Sequence, residues 1–365
     1  MNIQNQLGEN PAIVLWEVTR ACAFACSHCR AEANTKPDSR ELSPTEARRL
    51  INQVARAKPG MFILTGGDPT YRPDLVSLIE YATAQGLRVA LNPSATTRFL
   101  KVDLLALRGA GLRAISLGLD GSTPATHDDF RGVPGAWQWT IQASKAARQA
   151  GISVEMNTTF TRRNMGEFHA VAALLEQLQP AVWNLFQLVP SARVKSQDML
   201  TGAQMEDLFN NLADLAPVAG YEVRTTEGQH YRRVALQKWQ AQGGRRPEVT
   251  PINDGRGSVF VSHSGEICPG AFLPLVAGNV RVDDLLDIYR DSTLFLELRN
   301  PELLKGKCGG CEYRTLCGGS RARAYATTRD YLAQDPLCIY QPRYAAVQHR
   351  PALSTRQIWR MYRDD

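Results

Sequence analysis

Residues 13–29 read IVLWEVTRACAFACSHC, a mostly apolar run that passes within a few residues into Cys22, Cys26 and Cys29. Ile13–Val18 has the length and composition of a buried strand, so the three thiols fall on a loop at its C-terminal end. The same alternation repeats downstream. Met61–Thr65, Arg88–Asn92, Ala114–Leu119, Ser153–Thr159 and Val182–Leu188 read as further strands. Helical patterns over Pro44–Ala57, Asp74–Gln85, Ala136–Ala150 and Met165–Leu178 lie between them, two of them closed by Gly86 and Gly151. Six strand–helix units predict parallel strands joined by crossovers, and hence an α/β fold, a partial (β/α)6 TIM-like barrel. In such a barrel the chemistry lies at the C-terminal strand ends. The cysteine loop, Gly66-Gly67-Asp68-Pro69 and Asn92-Pro93-Ser94 all follow expected strands.

Composition narrows the function classes. Of 365 residues, 44% are hydrophobic and 21% charged, and 42 basic against 36 acidic residues leave a formal charge of +6. That excess suits anionic ligands but argues for no nucleic acid, because no basic run is interleaved with aromatics. No window approaches the roughly 20 apolar residues of a membrane span. The N-terminus carries no signal-peptide pattern, so a cytoplasmic protein with reduced cysteines is expected. Three of the eight cysteines fall within residues 22–29 and three within 308–317, with Cys268 and Cys338 apart. Such grouping favours metal ligation over disulfides.

After residue 195 the alternation stops. Helical stretches near 202–216 and 229–241 precede the polar segment Ala241–Gly257. An expected hairpin, Ser258–Ser262 with a turn at His263–Gly265, then leads to Cys268. The expected division is a barrel core at 1–195, a helical linker at 196–257, a cluster-binding unit at 258–345 and a tail at 346–365.

The spacing C-x3-C-x2-C lets three thiolates hold three irons of a cubane cluster and leave the fourth open to a small molecule. Mononuclear zinc with His28 as fourth ligand is the plainer alternative, made awkward because His28 adjoins Cys29. Cys308-x2-Cys311-x5-Cys317 and Cys338 supply four thiolates, enough to close a second site, with four-cysteine zinc again the alternative.

The triplet after a first strand resembles the radical SAM superfamily, and the resemblance spans nearly the whole chain. It implies a [4Fe–4S] cluster on Cys22, Cys26 and Cys29 that binds S-adenosylmethionine and cleaves it reductively to a 5′-deoxyadenosyl radical. An electron donor such as flavodoxin or ferredoxin is implied as well. Gly66-Gly67-Asp68-Pro69 resembles the superfamily's GGEP motif, with Asp68 in place of Glu, offering a carboxylate to the methionine ammonium. Asn92, Ser94, Ser116, Asp120 and Asn157 match by position the polar residues around the bound cofactor. The C-terminal cysteines resemble the SPASM/twitch extension, which implies one auxiliary [4Fe–4S] cluster on Cys308, Cys311, Cys317 and Cys338. Arg321 stands where the two-cluster version has a further cysteine, as does Asp283, which leaves Cys268 as a free thiol. Residues 317–338 resemble the radical SAM enzymes of heme d1 synthesis and of the alternative heme pathway. This implies oxidative modification of a heme-type tetrapyrrole or other carboxylate-bearing small molecule, with Arg321 and Arg323 pairing its carboxylates. The run His127-Asp128-Asp129-Phe130-Arg131-Gly132 is expected to be structural. Two alternatives remain at this point: a ribosomal-peptide maturase of the same superfamily, and a non-catalytic zinc protein. Against the maturase, only about a dozen residues precede the first strand, too few for a leader-binding domain.

Overall fold

A computed structural model of the chain describes residues 7–191, 193–194, 196–243, 247 and 249–343. The expected tail at 346–365 lies outside the described residues. The six expected strands are β1 (Ile13–Thr19), β2 (Met61–Gly66), β3 (Val89–Leu91), β4 (Leu112–Gly118), β5 (Ser153–Phe160) and β6 (Val182–Gln187). Each pairs in parallel with the next. The α/β partial barrel is therefore as the sequence implies. A seventh strand, β7 (Glu222–Thr226), continues the parallel series beside β6.

The C-terminal region does not build a separate sheet. The expected hairpin is present as β9 (Gly257–Val261) and β10 (Glu266–Cys268), antiparallel to each other. β9 also runs parallel to β1, pairing Ile13 with Ser258 and Trp16 with Val261. The short β8 (Asn253–Asp254) pairs with β9, and β11 (Gly278–Asn279) pairs with β10. The sheet order is thus β11-β10-β9-β1-β2-β3-β4-β5-β6-β7. β1, which carries the cysteine triplet at its end, is flanked by β2 on one side and the C-terminal hairpin on the other.

Local sequence explains the flanking elements. The helix Pro44–Ala57 starts on Ser43, whose side chain accepts from the Glu46 N–H while Glu46 returns the bond, with Pro44 at its first position. Ala47, Leu50, Ile51, Val54 and Ala57 recur at helical spacing and are buried against the sheet. On the strands, alternate residues divide between this helical layer and the barrel interior. Trp16 stacks on Phe62, with centroids 6.4 Å apart, in the apolar layer. The intervening Glu17 faces inward and lines the cavity described below. A register shift between Glu17 and Thr19 re-aims the end of β1 where the cysteine loop begins.

Candidate active site

The C-terminal ends of β1–β6 open into one cavity of about 840 Å³. Its wall includes Cys22, Cys26 and Cys29 from the first loop, Gly66 and Gly67 at the end of β2, and Asn92 and Ser94 after β3. Ser116, Gly118, Asp120 and Asn157 come from β4 and β5, so most of the residues expected around a cofactor share one space. The C-terminal region completes the lining with both polar side chains, Ser262, His263 and Glu266, and apolar ones, Phe272, Pro274, Val276 and Tyr325. Arg329 also belongs to that lining.

The triplet is held by short-range contacts. Cys22 Sγ lies 3.3 Å from Ser94 Oγ, and Phe24 N donates to the same sulfur at 3.4 Å. The Arg131 guanidinium donates to Cys26 Sγ at 3.8 Å and pairs with Asp120 at 2.6 Å. Burial pushes the Cys22 and Cys26 thiols up, opposed at Cys22 by Ser94 and at Cys26 by the Arg131 charge. A cation at this sulfur favours the thiolate, the form that ligates metal. Burial holds Asp120 against ionisation, yet the Arg131 guanidinium beside it outweighs burial and keeps the carboxyl below its ordinary range. His28 is lowered to about 4 by burial and is therefore a neutral imidazole. Three thiolate donors flanked by a cation and a hydroxyl fit an iron–sulfur cluster. Among the described residues no three His, Cys, Asp or Glu side chains converge as ligands of a single ion would.

Arg131 was expected to be structural, and its reach to Cys26 is a finding of the fold. It fits only because residue 118 is glycine: a Cβ there would lie 1.7 Å from its guanidinium nitrogen. The glycines after β2 also serve a purpose other than ligand approach. A Cβ on Gly66 would lie 2.3 Å from Thr19 O, and one on Gly67 2.5 Å from Ala21 O. They let the β2 turn close on the cysteine loop, where Gly67 N donates to Thr19 O and Asp68 N to Ala21 O. Asp68 is fully buried and does not line the cavity. Its carboxylate accepts from Thr70 N at 3.1 Å, Thr70 Oγ1 at 2.8 Å and Thr96 Oγ1 at 3.3 Å, and burial raises its pKa. Asn92 Oδ1 and Asn157 Oδ1, by contrast, are buried on the cavity wall without a hydrogen-bond partner among the described residues.

A charged chain that sequence reading passed over lines the same cavity. His263 Nδ1 is 2.9 Å from Glu17 and its Nε2 3.3 Å from Asp38. Arg30 pairs with Glu17 at 2.8 Å and lies over the Phe260 ring at 4.7 Å. Burial alone would raise Glu17, but Arg30, His263 and Arg20 bring it down to about 2. Cys268, at the end of β10, is buried, lines the cavity, and has its thiol pushed up to about 12, chiefly by burial.

The second thiol set gathers elsewhere. Cys308, Cys311, Cys317 and Cys338 line one small pocket with His230, Arg233 and Gly319. Gly319 N donates to Cys317 Sγ at 3.4 Å and Asp335 N to Cys308 Sγ at 3.5 Å. Four thiols with backbone donors aimed at their sulfurs fit a closed cluster. Arg321 and Arg323 do not face the cavity. Both are buried, at 2% and 0% exposure. Arg323 makes a bidentate pair with Asp335 at 3.0 and 2.7 Å and donates to the carbonyls of Glu227 and Leu188. The arginine of this segment on the cavity wall is Arg329, which makes no ion pair with a described residue. It caps the helix Arg321–Thr328 and sits 5.7 Å over Tyr325. Nothing in sequence distinguishes it from its neighbours, since helix phase alone separates an inward from an outward arginine.

Fold and site together describe a barrel enzyme with a three-thiol loop open to its cavity and a four-thiol set closed behind it. The radical SAM superfamily model matches residues 16–175. An AdoMet-dependent heme synthase of Oleidesulfovibrio alaskensis is 38% identical, over 94% of this chain and 92% of its own length. One of Methanosarcina barkeri is 35% identical, over 91% and 97%. A crystal structure of Streptococcus suis SuiB bound to precursor peptide SuiA shares the fold, with a TM-score of 0.70 at 16% identity, over 91% of this chain and 76% of that one. The chain belongs to the radical SAM superfamily and is an enzyme. Among the described residues no helix is long and apolar enough to cross a membrane.

Proposed function

We propose that the chain holds a [4Fe–4S] cluster on Cys22, Cys26 and Cys29, binds S-adenosylmethionine at its open iron, and oxidatively modifies a heme-type tetrapyrrole. The chemistry this pair supplies when bound is one-electron cleavage of a C–S bond, giving methionine and a 5′-deoxyadenosyl radical. Ser94 and Arg131 support the sulfurs of Cys22 and Cys26. Asn92 and Asn157, with unpartnered buried oxygens, accept hydrogen bonds from the bound cofactor, and Ser116 lies between them on the wall. Gly66, Gly67 and Asp68 fasten the loop from behind. Cys308, Cys311, Cys317 and Cys338 hold one auxiliary [4Fe–4S] cluster, and a small redox protein of the flavodoxin or ferredoxin kind delivers electrons. The division at residues 195 and 257 separates catalytic core from auxiliary unit in this reading.

The observation that carries the substrate class is the mixed lining of the cavity. Beside the thiols and amides it bears a group of apolar side chains from the C-terminal region, Phe272, Pro274, Val276 and Tyr325, with Arg329 near them in sequence and on the same lining. A flat, apolar macrocycle with carboxylate side chains matches such a lining, the guanidinium fork taking a carboxylate. The carboxylate role expected of Arg321 and Arg323 passes to Arg329, because those two are spent inside the protein. Near-full-length likeness to proteins named heme synthases supports the same class. The test is anaerobic: reconstituted enzyme, a reductant and S-adenosylmethionine, with and without an iron porphyrin bearing propionates. Faster release of 5′-deoxyadenosine with the porphyrin is expected, and none at all from Cys22→Ala. No stimulation by any iron porphyrin would refute the substrate class.

A further inference from the structure

Arg321 presents a charge problem. Its side chain is buried to 2% exposure, and a guanidinium is charged at every accessible pH. Buried charges are ordinarily paired, because removing one from water without compensation costs several kcal/mol (about, after relaxation). Yet no carboxylate of a described residue lies within ion-pair distance of it. Asp254 and Asp330 feel its charge only at longer range. Asp330 is already paired with Lys305 at 2.6 Å, and Asp335 with Arg323 and His230. What Arg321 does meet are three carbonyls and a sulfur. It donates to Tyr331 O at 2.8 Å, Ala333 O at 2.7 Å and Gly319 O at 3.4 Å, and through Nη2 to Cys308 Sγ at 3.8 Å. Gly319, with φ of 64°, keeps this approach clear: a Cβ there would stand 2.8 Å from Nη2 and 3.3 Å from Cys308 Sγ.

We infer that the counter-charge of Arg321 is the thiolate set of the auxiliary cluster, and that Arg321 is a positioning residue that raises this cluster's reduction potential. The inference rests on the auxiliary-cluster reading above. Hydrogen bonds to the sulfurs and nearby charge set such potentials, and a fixed cation stabilises the more negative, reduced form. A side chain standing where the two-cluster version has a further cysteine thus acts on the remaining cluster by charge instead of by ligation. The direction favours a cluster that accepts an electron.

The test is a potentiometric titration followed by electron paramagnetic resonance on the reconstituted full chain. The signal perturbed by added S-adenosylmethionine belongs to the triplet's cluster and serves as internal control. Arg321→Gln is expected to lower the auxiliary potential by about 59 mV, a tenfold change in a one-electron equilibrium, and to leave the control in place. Arg321→Lys keeps the charge and is expected to stay closer to the parent value. An unchanged auxiliary potential in Arg321→Gln, or equal movement of both signals, overturns the inference. Should Arg321→Gln lose its auxiliary iron, Arg321→Met and Arg321→Lys decide. Retention by Lys alone marks the charge as the requirement, and loss in all three overturns it. The underlying reading is checked apart from this: if Cys308→Ala with Cys311→Ala removes no iron, the auxiliary-cluster reading fails and the inference falls with it, whereas iron lost there and an unchanged potential in Arg321→Gln overturn the inference alone.

Discussion

Replacing Asp335 by Ala would break the most deeply buried ion pair described in this chain. Asp335 and Arg323 are both at 0% exposure, joined by bonds of 3.0 and 2.7 Å. The same carboxylate accepts from Ser320 N at 2.8 Å and Leu337 N at 3.1 Å, and lies 3.1 Å from His230 Nε2. Burial alone would raise its pKa, but Arg323 and His230 outweigh it and hold it well below the ordinary carboxyl range. Removing the anion strands the Arg323 charge, and such a loss costs about 3–5 kcal/mol. At about 2 °C per kcal/mol for a large chain, the melting midpoint should fall by roughly 6–10 °C. The assay is anaerobic thermal unfolding of the reconstituted protein, with auxiliary iron measured alongside, because Asp335 N donates to Cys308 Sγ. Asp335→Asn keeps the shape, loses the charge, and should fall nearly as far. The sign with pH follows from the lowered pKa. The stabilisation is fully present above the ordinary carboxyl pKa and is lost as pH falls through the folded value. A midpoint shift under 1 °C in Asp335→Ala, about half a kcal/mol on the same scale, would refute the assignment of this pair as a structural tie.

Gly67→Ala should drive a methyl into Ala21 O, 2.5 Å away, and so displace the cysteine loop. Iron analysis should show loss from the triplet and retention of the auxiliary iron. Arg329→Glu is expected to raise KM for a carboxylate-bearing porphyrin at least tenfold, about 1.4 kcal/mol, through loss of one charge-assisted bond and added repulsion. An equal rise with an uncharged porphyrin ester would argue against carboxylate pairing. Glu17, brought down to about 2 by Arg30, His263 and Arg20 against burial, stabilises the fold above the ordinary carboxyl pKa of 4.5. That contribution is lost as pH falls from about 4.5 towards about 2, and Glu17→Gln should remove this part of the acid sensitivity in a pH series of midpoints.

The order of strands was legible because β1–β6 are apolar runs whose burial follows from composition. β7 was not. Glu222–Thr226 has no buried residue, so it presents no apolar run to read, and its pairing with β6 is a tertiary fact. Ligand identities were legible at the cysteines, where spacing on a short loop forces proximity. The surrounding residues were less so. Asp68 lies in the expected turn, yet the turn's direction sends its carboxylate to Thr70 and Thr96 and away from the cavity. Arg131 could be read only as part of a helix end, since its contact with Cys26 depends on the missing side chain at Gly118. Arg321, Arg323 and Arg329 show the limit most sharply. They have the same chemistry within nine residues, but one helix turns two into the interior and leaves the third on the cavity wall.

The pairing of β9 with β1 joins the C-terminal region to the strand that carries the cysteine triplet. β1 ends in the triplet, and β9 leads through His263 into β10 and Cys268, so the C-terminal hairpin is stitched to the strand that bears the open site. His263 crosses that seam, joining Glu17 of β1 to Asp38 beyond the cysteine loop. On the far side, Arg323 reaches from the auxiliary unit to the Leu188 carbonyl after β6, while its partner Asp335 touches Cys308 through its backbone. His263 and Leu188, one on each side of the barrel sheet, both line the cavity. The C-terminal region thus lines the same cavity as the cysteine triplet, and on the proposed function Arg329 is the residue of that lining which would tell a carboxylate-bearing substrate from an uncharged one.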